Sequence, residues 1–187
     1  MATPTGRAVA LLALGHGAGG DVDAPDLAAV RGAAAAAGLV VASITQPYRV
    51  AGRRSPAPAA QLDEAWSEVV GAARAEAGPR LPLLLGGRSS GARVACRTAR
   101  SLSAVGVVAL AFPLHPPGRP ERSRADELDT GVPTLVVNGD RDPFGVPDAR
   151  PGVDLVVLPG ERHDLRKDTV AVARAVVDWL RGHGWAR

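Results

Sequence analysis

Residues Gly86-Gly87-Arg88-Ser89-Ser90-Gly91 stand between the apolar run Leu81–Leu85 and the helix-like stretch Ala92–Leu102. This is Gly-x-Ser-x-Gly at a strand-to-helix junction. Such a turn lifts a serine Oγ above the end of a strand. It also aims the free N–H groups of a helix N-terminus at the same point. Positions two before and two after the raised residue need to be small. Centred on Ser89 they are Gly87 and Gly91; centred on Ser90 one becomes Arg88, which would crowd the turn. Ser89 is therefore the expected nucleophile, and Ser90 the donor of a backbone N–H. The competing reading is a glycine-rich turn with incidental serines.

Working outward, apolar runs alternate with helical patterns on both sides of this turn. The runs are Ala8–Leu14, Leu39–Ile44, Leu81–Leu85, Val105–Phe112, Val132–Val137 and Val153–Leu158. They are continuously apolar, as strands of a parallel sheet covered on both faces are. The helical patterns are Pro25–Ala37, Ala59–Ala77, Ser90–Leu102, a short piece near Arg122–Leu128, and Asp168–Arg181. Pro25 and Gly38 punctuate the first of them. This alternation predicts an α/β fold: a mostly parallel sheet of about six strands with helices on both faces. Pro82 and Pro133 cannot donate to a ladder, so each marks a strand start. Gln46–Pro58 and Pro113–Pro120 read as irregular loops. Neither has the context of a linker, and residues 1–187 are expected to form one domain.

A serine is a weak nucleophile until a neighbouring base takes its proton. Four histidines are available. Partners in an elbow-type fold follow in the order Ser, Asp/Glu, His, which sets aside His16 and His115. His183 lies in the tail. His163, in Pro-Gly-Glu-Arg-His-Asp-Leu after the last strand, is the expected base, because α/β sites assemble at the carboxyl ends of strands. The acid should follow the preceding strand, where Asn138-Gly139-Asp140-Arg141-Asp142-Pro143 offers two aspartates. Asp142 precedes a proline, which favours an extended backbone that projects its carboxylate. Asp140, just after Gly139, suits a turn. The second oxyanion donor is expected from the loop Gly15-His16-Gly17-Ala18-Gly19-Gly20, through the N–H of Ala18 or of Gly17. That loop also matches G-x-G-x-x-G. A nucleotide-binding fold is the weaker reading, because Asp21 and Asp23 oppose phosphate and the helix starts late.

The segments HGAGG (16–20), PYRVAGRRSPAP (47–58), GGRSSGARVA (86–95), PLHPPGRPE (113–121), VPTLVVNGDRDPFG (132–145) and ERHDL (161–165) together resemble a small α/β-hydrolase. The resemblance is to the dienelactone-hydrolase-related group. More closely, it is to the family that includes a testis-expressed protein and a subunit of the eukaryotic non-specific lethal chromatin complex. It implies Ser89, Asp142 and His163 as a triad. True dienelactone hydrolases use cysteine where this chain has Ser89, so lactone hydrolysis does not carry over. The residue after the nucleophile is often Met in this family; Ser90 leaves its N–H role intact.

The expectation is a serine hydrolase of the carboxylesterase or thioesterase type, acting on a small ester or thioester without cofactor or metal. The rival is a binding or scaffold protein that keeps the hydrolase fold. About twenty residues separate Phe112 from Val132, too few for a substantial lid, so an open site is expected. Arg53, Arg54, Arg88 and Arg119 are expected near its mouth. They either favour an anionic substrate or are ordinary surface arginines of a chain with a single lysine, Lys167. His115 either lines the pocket or makes a structural hydrogen bond.

A net charge of +3, without basic runs interleaved with aromatics, argues against nucleic acid as a partner. The single Cys96 fits a reducing compartment and is expected to be a packing thiol. Met1–Arg7 runs directly into a strand-like segment, unlike a signal peptide, and no run approaches a membrane span. A cytoplasmic protein, monomeric or homodimeric, is expected.

Overall fold

The computed structural model describes residues 1–53 and 57–187. Six strands form one wholly parallel sheet: β1 (Ala10–Gly15), β2 (Leu39–Ile44), β3 (Leu83–Arg88), β4 (Gly106–Leu110), β5 (Thr134–Gly139) and β6 (Val153–Leu158). Their spatial order is β2-β1-β3-β4-β5-β6. Among the described residues five helices accompany the sheet: α1 (Pro25–Ala36), α2 (Pro47–Val50), α3 (Ala59–Ala77), α4 (Ser90–Thr98) and, after the last strand, α5 (Thr169–Gly182). The order reverses around β1 and β3, whose carboxyl ends lie side by side with Gly15 opposite Gly87. A ligand site in an open parallel sheet belongs at such a reversal.

Period-two alternation divides the core. Leu11, Ala13, Leu83, Leu85, Val107 and Ala109 face α3 and α4, where Trp66, Val70 and Val94 are buried. Leu12, Leu14, Leu84, Val108 and Leu110 face α1 and α5, which contribute Leu27, Val30, Val176 and Leu180. Successive residues of a strand point to opposite faces, so the apolar runs feed both layers at once.

The six expected strands and four longer helices are present, and β3 and β5 begin directly after Pro82 and Pro133. Four details differ. Helix α4 ends at Thr98 rather than Leu102, and Ser103 adopts a positive φ of 52° just beyond it. Pro47–Val50, expected as irregular loop, is a single helical turn with Pro at its start. The piece near Arg122–Leu128 is a 3₁₀ turn, Ala125–Leu128. Strand β6 is also not covered on both faces: Asp154 and Val157 are exposed, as an edge strand permits. Between Phe112 and β5 the chain forms only turns and this 3₁₀ segment.

Candidate active site

The turn after β3 is tight for a reason visible in its neighbours. A Cβ on Gly87 would lie 2.7 Å from the Gly15 carbonyl oxygen, and one on Gly91 would lie 2.6 Å from that same atom. All these obstacles are backbone, so only glycine lets the start of α4 close against the end of β1. Ser89 itself sits at φ 54°, ψ −112°, a conformation costly for any residue with a Cβ. The surrounding structure holds it there, and its N–H still donates to the Leu110 carbonyl at 2.9 Å.

The Ser89 hydroxyl donates to His163 Nε2 at 2.8 Å. His163 Nδ1–H donates to Asp142 Oδ2, also at 2.8 Å. The carboxylate fixes the ring tautomer and leaves Nε2 as the acceptor facing the serine. Asp142 Oδ1 accepts from the Phe144 N–H at 2.9 Å, so the carboxylate is held at both oxygens. The Phe144 ring stacks on His163 with centroids 4.0 Å apart and planes at 28°. Two further contacts bind the histidine loop to the aspartate loop. Gly160 N–H donates to Asp140 Oδ1 at 2.7 Å, and Arg141 N–H donates to the Glu161 carbonyl at 3.0 Å. Asp140 thus serves the turn, and Asp142 reaches the imidazole.

The loop after β1 completes the arrangement. His16 is fully buried. Its Nε2 accepts the Gln46 backbone N–H at 2.9 Å, so the ring proton sits on Nδ1 and is donated to the Gly17 carbonyl at 2.8 Å. Gly20 N–H donates to the same carbonyl at 3.1 Å. In a trans peptide the N–H points opposite the C=O. Fixing the Gly17 carbonyl inward therefore turns the Ala18 N–H outward, toward the pocket that Ala18 lines with Ser89 and Ser90. Neither Ala18 N–H nor Ser90 N–H has an acceptor among the described residues. Gly17 contributes the fixed carbonyl; its own N–H also has no acceptor among the described residues, and a Cβ there would lie 3.2 Å from the Ser89 Cβ. Burial pushes the His16 pKa down; the Gly17 carbonyl opposes this, and the charges of Arg49 and Arg88 add to it.

The pocket beside Ser89 holds about 210 Å³ and is bounded by Leu62, Pro113 and Phe144, with Arg93, Arg97 and Arg124 on its polar side. None of these three arginines is among those singled out from the sequence. Arg88 is not at the mouth. Its position is of opposite parity to Leu83 and Leu85, so it points through the sheet toward α1. There its Nε lies 3.5 Å from Asp26 Oδ2, and its guanidinium packs against Gly20. Burial raises the Asp26 pKa, with Arg88 pulling the other way. Arg53 and Arg119 are exposed and do not border the pocket, and Arg54 lies outside the described residues. His115 Nδ1–H donates to the Pro116 carbonyl at 2.9 Å, and its backbone N–H donates to the Phe144 carbonyl at 3.0 Å. It supports the acid loop instead of lining the pocket.

A residue the sequence reading passed over is Asn138. It is fully buried at the end of β5, accepts the Phe112 N–H at 2.8 Å, and donates to the Gly145 carbonyl at 3.2 Å. It ties β4 to the acid loop. A lone amide ending an apolar strand was the available signal, since a buried amide requires partners.

The family profile for the alpha/beta hydrolase domain matches residues 8–168. The chain belongs to this family. Its solved relatives are remote in sequence but share the fold. A serine hydrolase from Xanthomonas campestris, described as lacking a lid, superposes with a TM-score of 0.79 at 21% identity, over 97% of this chain and 86% of that one. An alpha-beta serine hydrolase homologue from Coxiella burnetii gives 0.77 at 18% identity, over 95% and 88%. Est1E from Butyrivibrio proteoclasticus, solved with ferulic acid bound, gives 0.72 at 16% identity, over 96% and 92%. No curated protein matches the sequence. Hydrolase chemistry in general follows from this membership. No helix of the described residues is long and apolar enough to cross a membrane.

Proposed function

We propose that this alpha/beta hydrolase is a serine hydrolase that cleaves a small carboxylic ester or thioester through an acyl-enzyme. The observation that carries the reading is the unbroken series Ser89–His163–Asp142, with both hydrogen bonds at 2.8 Å, placed against two acceptor-free N–H groups. His163 takes the Ser89 proton as Oγ attacks the carbonyl carbon. The N–H groups of Ser90 and Ala18 hold the oxyanion, each worth roughly 10²–10³ in rate. The leaving alcohol or thiol takes the proton from His163. Water, deprotonated by His163, then releases the acid and restores Ser89. The scant cover between β4 and β5 suits small or exposed esters. The finer kinship with the dienelactone-hydrolase-related and chromatin-complex families, a cytoplasmic location, a single domain and a monomer or homodimer belong to the same proposal. They rest on the sequence segments and the single cysteine.

A fluorophosphonate probe tests it. The wild type should be labelled at Ser89. Labelling should vanish in Ser89→Ala and fall by several orders of magnitude in His163→Ala. Folded wild type that takes up no probe would overturn the proposal and leave the scaffold reading in its place.

A further inference from the structure

Ser89, Arg93 and Arg97 are four residues apart and share one face of α4, so each guanidinium lies about one turn farther from the serine than the last. All three border the same pocket, together with Arg124 from the connection after β4. Two carboxylates answer these three cations. Glu127 takes Arg93 in a two-point contact at 2.8 and 2.5 Å and also reaches Arg97 Nη1 at 3.4 Å. Asp63 takes Arg97 in a second two-point contact at 2.8 and 2.6 Å. Both carboxylates are thus committed. Arg124 makes only one contact with a neutral group, Nη1–H to the Pro113 carbonyl at 3.2 Å, and no carboxylate of the described residues lies within ion-pair distance of it. Burial lowers its pKa, and the neighbouring Arg93 charge adds to the effect while Glu127 opposes it. It nonetheless stays cationic, as guanidinium does.

One positive charge is therefore left over on the wall of a half-enclosed pocket beside the nucleophile. Its remaining N–H donors have the forked geometry that a carboxylate matches. The volume sets the size of the guest. A water-sized group fills about 30 Å³ of liquid, so 210 Å³ admits roughly seven non-hydrogen atoms. A four-carbon diacid monoacyl group has that many.

We propose that the pocket selects short esters or thioesters that carry a free carboxylate, and that Arg124 is the residue that binds it. Arg93 and Arg97, neutralised by Glu127 and Asp63, shape the wall and hold α4 to the 3₁₀ turn and to α3. The inference rests on the serine hydrolase reading for its chemistry, but the charge selectivity can be read without turnover. Of the arginines expected at the mouth from the sequence, Arg53, Arg88 and Arg119 do not border this pocket, and Arg54 lies outside the described residues.

The test compares two pairs of neutral and charged esters: ethyl butyrate with monoethyl succinate, and ethyl acetate with O-acetylglycolate. The first pair carries the charge on the acyl side and the second on the alcohol side. Wild type should favour the charged member of at least one pair by about 10–100-fold in kcat/KM, the size of one charged hydrogen-bond contact. Arg124→Gln should erase the preference, the loss falling on the KM of the charged esters. Arg124→Lys should restore part of it. Equal kcat/KM within both pairs overturns the proposal and leaves the hydrolase reading standing. A second measurement covers a chain that hydrolyses none of the four. Succinate and butyrate are titrated by NMR into Ser89→Ala, with and without Arg124→Gln, after thermal unfolding has shown each variant to be folded. Succinate should bind more tightly than butyrate only when Arg124 is present. Equal binding of the two sinks the proposal whatever the fate of the catalytic reading.

Discussion

Replacing Gly91 with alanine should disable the site without unfolding the chain. The added Cβ would meet the Gly15 carbonyl oxygen at 2.6 Å, the Gly15 carbonyl carbon at 2.7 Å and the His16 carbonyl oxygen at 2.8 Å. Ordinary contact begins near 3.4 Å, so relief requires the start of α4 and the end of β1 to part by about 0.8 Å. Both sides are backbone, and neither can rotate aside. The movement separates Ser90 from Ala18, the two groups proposed to share the oxyanion, and carries Ser89 away from His163. A misplacement of about 1 Å costs on the order of 10²-fold in rate. Forced packing of this kind costs about 1–3 kcal/mol in stability. The assay is the second-order rate of fluorophosphonate labelling, read beside a urea unfolding curve. Gly71→Ala is the control. Gly71 lies within α3 and a Cβ there would meet nothing within 4 Å, so its variant should gain about 0.5–1 kcal/mol and label at the wild-type rate. If Gly91→Ala labels within twofold of wild type and unfolds at the same midpoint, the steric account of the turn is wrong.

Two further outcomes concern buried groups. Because His16 has a lowered pKa in the folded chain, the unfolded chain takes up a proton first as pH falls. Its stabilising contribution is complete above about pH 6.5 and is lost as the pH drops below that value toward the folded pKa. His16→Gln should begin about 1–3 kcal/mol less stable at pH 8, and the gap to wild type should narrow on acidification, as urea melts at stepped pH would record. A gap that stays constant to pH 5 contradicts the neutral, doubly hydrogen-bonded ring. Cys96 is fully enclosed, and burial pushes its thiol pKa up to about 12. At pH 8 only about one part in 10⁴ is thiolate, so a thiol-reactive dye should modify Cys96 no faster than the chain unfolds. Rapid modification of native protein would place that thiol outside the core.

The α/β architecture and the Ser89, Asp142 and His163 positions were legible because their causes are local. Continuous apolar runs form parallel strands wherever helices cover both faces, and Gly87 and Gly91 flank Ser89 within a single turn. Chain order then limits the base and acid to loops after the last two strands. Arg88 was misplaced for a reason that was present in the sequence: strand parity sends it to the face opposite the pocket, where α1 supplies Asp26. The charge of the pocket was not legible in this way. Arg93 and Arg97 stand in register with Ser89 along α4, a spacing visible in the sequence. Their neutralisation depends on Asp63 and Glu127, each 34 residues from its partner in at least one contact. Likewise the Ala18 N–H faces outward only because His16 meets Gln46, 30 residues on, across the β1–β2 edge.

The sequence by itself determined which strands and turns form and which serine is raised above them, because these follow from alternation, sterics and order along the chain. Only the tertiary structure decided which arginine keeps an unanswered charge. Ion pairing depends on distances of a few ångströms between side chains brought together from remote segments, and no local pattern encodes those distances.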